Sequence, residues 1–104
     1  MMKTVKSILC VVALSMSVGA QAAKLTVKDC EDMQELAYKV MNLRQTGVPA
    51  SQLIALADGN KIANAIVIAA YEELQYNTRE YQIRANKEFA NRVYIECFKS
   101  VTNK

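Results

Sequence analysis

Apolar residues recur at helical spacing through most of this chain, and the breaks between the runs mark out four segments behind an apolar N-terminal stretch. The first segment predicts a helix from about Asp29 to Thr46. Cys30, Met33, Leu36, Ala37, Val40 and Met41 share one face, and Glu31, Glu35, Lys39 and Asn42 occupy the other. Asp29 is placed to cap this helix, with Glu31, Asp32 and Glu35 near its positive end, where the helix dipole favours acids. Gly47-Val48-Pro49 is the clearest break in the chain. A short helix from about Ala50 to Ala57 follows, with Leu53, Ile54 and Leu56 as its apolar positions, and Asp58-Gly59-Asn60 ends it.

The third segment predicts a helix from about Asn60 to Leu74. Its stretch from Ile62 to Tyr71 is apolar all round except at Asn64, the pattern of a central helix covered on most sides. Ile66-Val67-Ile68 alone would suit a strand, but the flanking alanines and the length of the run favour a helix. A third break spans Gln75 to Thr78. The fourth and longest helix then runs from about Thr78 to Val101, capped by Asn77 or Thr78, with Asn77-x-x-Glu80 approximating a capping box. Ile83, Ala90, Tyr94, Cys97 and Val101 line its apolar face, flanked by Val93 and Phe98. Arg84, Glu88, Arg92 and Glu96 step along the other face with alternating sign, which predicts a solvated ladder of weak ion pairs.

The N-terminal stretch has a different design. Lys3 and Lys6 precede an apolar run from Ile8 to Val18, and Ala20-Gln21-Ala22 forms an A-x-A site. Residues 1–22 therefore read as a cleavable signal peptide, leaving 23–104 as a single helical domain with no stable membrane anchor. The apolar run is shorter than the ~20 residues of a spanning helix. Bulky Ile8 and Leu9 precede Cys10, where a lipoprotein site needs small residues, so Cys10 is expected to leave with the leader.

Export changes the meaning of the two remaining cysteines. Cys30 lies near the start of the first predicted helix and Cys97 near the end of the last. In an oxidising compartment such a pair predicts a structural disulfide. A redox role would call for a C-x-x-C or a neighbouring histidine, and the sequence contains neither. Cross-linking a domain with so small a core contributes roughly 4 kcal/mol. The expected fold is thus all-α, a small four-helix bundle closed by Cys30–Cys97 and located in the periplasm.

Charge and composition narrow the function. Of 13 basic and 10 acidic residues, Lys3 and Lys6 fall in the leader, so the mature chain carries a net charge of only about +1. That gives no electrostatic footprint for nucleic acid. The sequence has no histidine and no Gly-rich phosphate loop, so the usual general base, most zinc sites and nucleotide sites have no candidates. Asp29, Glu31, Asp32, Glu35, Glu72 and Glu73 are the available carboxylates, but the first four sit where a helix start favours acids anyway. The reading is non-enzymatic, with no cofactor and no metal.

Candidate contact residues remain. Tyr71, Tyr76 and Tyr81 cluster around the third break, either as a protein-binding surface or half-packed over a helix corner. Arg44 falls inside an apolar face. Either its stem packs while its head reaches the last-turn carbonyls, or it makes a buried ion pair or a ligand contact. Ile95 sits among the charges of the fourth helix, as an ordinary exposed residue or a partner contact.

The string Arg44-Gln45-x-Gly47-Val48-Pro49, then Ala70-Tyr71, then Glu88-Phe89-Ala90-Asn91-x-x-Tyr94-x-x-Cys97 resembles a family of small exported helical proteins of unknown function found in bacterial and prophage genomes. Asp29-Cys30-Glu31 and Val93-Tyr94-Ile95-Glu96-Cys97 are similar to the cysteine surroundings of the phage Spackle lysozyme inhibitors. Cys30-Glu31-Asp32-Met33 is similar to the first-cysteine region of HdeA-type periplasmic chaperones, although Cys97 lies only seven residues from the end where those proteins carry a long charged tail. These resemblances imply a periplasmic protein-binding module whose partner is a lysozyme or another envelope protein. Two alternatives stand beside it. One is an acid-stress chaperone opened by self-repulsion, since protonating 10 carboxylates leaves about 11 positive charges on the mature chain. The other is a small structural subunit of an envelope complex.

Overall fold

A computed structural model describes residues 25–102, and the leader reading, including Cys10, lies outside the described residues. Four helices and no strands occur among the described residues: α1 (Val27–Gln45), α2 (Ala50–Ala57), α3 (Lys61–Tyr71) and α4 (Arg79–Thr102). The fold is the expected all-α bundle, closed by a disulfide between Cys30 and Cys97, whose Cα atoms lie 5.4 Å apart.

Each boundary has a local cause. Thr26 caps α1 by accepting from the Asp29 amide, and Asp29 accepts in return from the Thr26 amide at 2.8 Å. Asp29 is therefore the third residue of a capping box rather than the cap itself. The helix ends in a Schellman turn, with the Gly47 amide donating to the Arg44 carbonyl and the Val48 amide to the Leu43 carbonyl. Gly47 takes φ 97°, a conformation that a side chain would strain. Asn60 caps α3 by accepting from the Ala63 amide at 2.9 Å. At the start of α4 the Thr78 hydroxyl accepts from the Tyr81 amide, and no Asn77–Glu80 box forms.

The long helices α1 and α4 pack antiparallel. Cys30 meets Cys97 at one end, and the Asn86 amide donates to Asn42 Oδ1 at 2.9 Å toward the other. Helix α3 packs on α1, and α2 packs on α3. One core joins all four: Ala37, Val40 and Met41 from α1, Leu53 from α2, Ile66, Val67 and Ala70 from α3, and Phe89 and Ala90 from α4.

Five expectations need correction. Asn42 does not belong to the solvent face of α1, because it receives the hydrogen bond of fully buried Asn86. Helix α3 is not covered on most sides: Ile62 and Ile68 are 43% and 55% exposed, because four short or slender elements cannot enclose one of their own. Its helix ends at Tyr71 rather than Leu74. The α4 ladder does not form either. Arg92 reaches Glu73 at 3.0 Å, Glu96 pairs with Lys99, and Arg84 lies over the Tyr81 ring. The buried face of α4 is also rotated toward Asn86 and Phe89, while Phe98 is 38% exposed.

Candidate functional site

The corner that joins α3 to α4, residues 72–78, gathers most of the chemistry the sequence singled out. Its backbone is held from below by the last turn of α1. Gln45, buried at 1% exposure, donates through Nε2 to the Leu74 carbonyl at 2.7 Å and accepts through Oε1 from the Tyr76 amide at 2.7 Å. The next residue up the helix completes the hold, with Arg44 Nη2 donating to the Glu73 carbonyl at 3.0 Å. Gln75 returns a bond to the Gln45 carbonyl at 3.2 Å. Three corner residues, Glu73, Leu74 and Tyr76, thus have backbone groups engaged by two α1 side chains.

This hold explains the early end of α3. A helix carried on to Leu74 would direct the Glu73 and Leu74 carbonyls along its own axis. Capture by Arg44 and Gln45 turns them toward α1 instead. The side chains are left pointing outward: Leu74 is 70% exposed, Tyr81 48% and Tyr76 39%.

The three tyrosines do not form one cluster. Tyr76 and Tyr81 pair with ring centroids 6.1 Å apart, tilted at 37°. Tyr71 turns away from them, half-buried, and its hydroxyl donates to the Val48 carbonyl across the bundle. Burial holds its phenol above the ordinary tyrosine range, an effect that the nearby Arg44 charge partly offsets. Arg44 departs from both expected arrangements, making neither a last-turn carbonyl contact nor an ion pair among the described residues. Its guanidinium reaches a carbonyl, though on the corner rather than in its own last turn, and lies 5.3 Å over the Tyr71 ring.

Ile95 is 43% exposed on α4, fourteen positions along the helix from Tyr81 and so about 21 Å away at the helical rise per residue. The structure does not bring it to the corner. Leu74 and Gln45 are the residues that sequence reasoning missed. Gln45 carried no distinguishing signal beyond its place in a polar-looking helix end, and Leu74 read as the last apolar position of α3.

Among the described residues no group of three metal-capable side chains occurs, and no helix is long and apolar enough to cross a membrane. The fold and the corner define the class: a small, disulfide-closed, all-α bundle presenting a braced surface loop. No family model, curated protein or solved structure matches this chain.

Proposed function

We propose that this protein is a non-enzymatic periplasmic binding module that inhibits or modulates a cell-wall-acting enzyme such as a lysozyme, by steric cover of the enzyme's cleft. One observation carries the reading. Gln45 fixes the backbone on both sides of Gln75, at the Leu74 carbonyl and the Tyr76 amide, while the Leu74 side chain stays 70% exposed. A large apolar side chain on a braced loop loses little freedom when it binds, and reduced ordering cost is what preorganisation contributes to affinity. The paired rings of Tyr76 and Tyr81 add aromatic anchors of the kind that dominate binding energy.

The Cys30–Cys97 bond suits an oxidising compartment, in keeping with export. The similar surroundings of Cys30 and Cys97 in the Spackle inhibitors support the choice of target class. The test is affinity capture from periplasmic extract, followed by turnover of cell-wall substrate by lysozyme. The reading expects a cell-wall enzyme in the captured fraction and slowed turnover. Recovery of no such enzyme, with lysozyme turnover unchanged, would overturn it.

A further inference from the structure

Helices α3 and α4 both rest on α1 but leave a trough between them. It has a volume of about 470 Å³, within the ~300–1,000 Å³ of ordinary binding clefts. Its floor and walls are apolar: Met33 from α1, Ile62 and Ile66 from α3, and Phe89 and Val93 from α4. The α3 wall presents Ile62, Ala65, Ile66 and Ala69, a single helix face at three- and four-residue spacing. Phe89, Val93 and Cys97 do the same from α4. Two apolar helix faces lining one trough, with small residues on one wall, make a seat for a third helix, whose axis must come within ~8–10 Å of its neighbours.

The rim gives the occupant's charge. Glu72, Glu73 and Glu96 stand around the trough with Arg92 as the single cation among its lining residues. Arg92 is engaged by Glu73 at 3.0 Å, and Glu96 has the adjacent Lys99 at 3.5 Å. Glu72 has no ion-pair partner among the described residues. An apolar floor under an acidic rim complements an apolar stripe flanked by lysine or arginine.

We infer that the trough between α3 and α4 docks an amphipathic helix of a partner protein, apolar on its inner face and basic at its margins. This inference rests on the reading that the protein acts by binding another protein, and adds a second contact surface to the braced corner. Glu73 links the two. Its carbonyl is held by Arg44 at the corner, and its carboxylate pairs with Arg92 at the trough.

Two synthetic helical peptides with the same leucine stripe test the inference, each about 18 residues long and so roughly 27 Å as a helix. One carries lysine at its polar positions and the other glutamate. Binding to the full mature protein is followed by amide chemical shifts in NMR. The lysine peptide is expected to perturb Ala65, Ala69 and Val93, and to bind roughly threefold to tenfold more tightly than the glutamate peptide. Glu72→Lys combined with Glu96→Lys should erase that preference. Ala65→Arg, at an exposed position, should block the lysine peptide while leaving the far-UV circular dichroism unchanged.

Equal binding of the two peptides, perturbations confined to other surfaces, or no binding at millimolar peptide would each overturn the inference. So would sedimentation as a dimer with the trough amides covered, since the occupant would then be a second copy. The outcomes separate from those of the functional reading. Lysozyme inhibition by the unsubstituted protein, when that protein binds neither peptide, leaves that reading standing and removes the trough. Lysine-peptide docking with no effect on any cell-wall enzyme does the reverse.

Discussion

Gln45 and Leu74, 29 residues apart, are joined by a 2.7 Å hydrogen bond from a side-chain amide to a backbone carbonyl, and the same amide group receives the Tyr76 N–H. One buried side chain thus pairs with two part-buried backbone groups, and leaving such a group unpaired away from water costs about 1–3 kcal/mol. Gln45→Met keeps the approximate shape and removes both bonds. It is expected to lower unfolding free energy by about 2–4 kcal/mol in urea titration, with Gln45→Ala at least as low because it adds a cavity.

The exposed tip of the corner should behave oppositely. Leu74 is 70% exposed, so Leu74→Ser is expected to change stability by no more than about 0.5 kcal/mol. If Leu74 is an anchor, the same substitution weakens inhibition of the partner enzyme about tenfold or more. Tyr76→Ala should act in the same direction. Inhibition assays beside urea titrations check the pair, and a variant that loses stability and inhibition together would place Leu74 in the fold rather than the contact.

The disulfide ties the first turn of α1 to the last turns of α4 across a sequence separation of 67. A loop of that length implies about 4 kcal/mol of stabilisation, chiefly by restricting the unfolded chain. Cys30→Ser with Cys97→Ser should therefore lower the unfolding free energy by about that amount, as read in urea against the oxidised protein. The capping box of Thr26 and Asp29 lies immediately before Cys30, so amide exchange should accelerate first in residues 26–33.

Helix α2 is attached by a single buried residue. Leu53 is 6% exposed, whereas Ile54 and Leu56 on the same helix are 38% and 80% exposed. Leu53→Ala is expected to cost about 2–3 kcal/mol and to raise hydrogen exchange across Ala50–Ala57 more than across α1 or α4.

Helical periodicity marked out the four helices because apolar spacing, capping residues and glycine breaks are local properties. Gly47 had to end α1, since the Schellman turn there needs a positive φ. The disulfide was legible from cysteine position and inferred export. What the pattern could not contain was tertiary. Asn42 and Asn86 look like surface residues until each is given the other, and only then does the buried face of α4 rotate to include Phe89. The end of α3 depends on Arg44 and Gln45 reaching across from α1, a contact with no signature in residues 60–74. Arg92 likewise exchanged its own helix for Glu73, because that carboxylate lies beside it in space. The tyrosines clustered in sequence but divided in space, since the turn after Tyr71 sends its ring inward toward Val48 and the next two outward.

That inward turn makes Tyr71 a source of alkaline sensitivity. Its phenol is held above the ordinary value of 10.0 chiefly by burial, with Arg44 opposing. A raised pKa in the folded state means that the neutral phenol is favoured by folding. The associated stability is fully present below the unfolded-state pKa near 10 and is lost as pH rises through the higher folded value. Deprotonation also removes the proton that the hydroxyl donates to the Val48 carbonyl. Unfolding free energy should therefore decline as pH rises above about 10 in the wild type. Tyr71→Phe should begin lower at neutral pH, by about 1 kcal/mol for the lost hydrogen bond, and show a shallower decline. Urea titrations across that range, with phenolate absorbance followed in parallel, check both slopes. Equal slopes for the two proteins would show that Tyr71 is not the source of the alkaline transition.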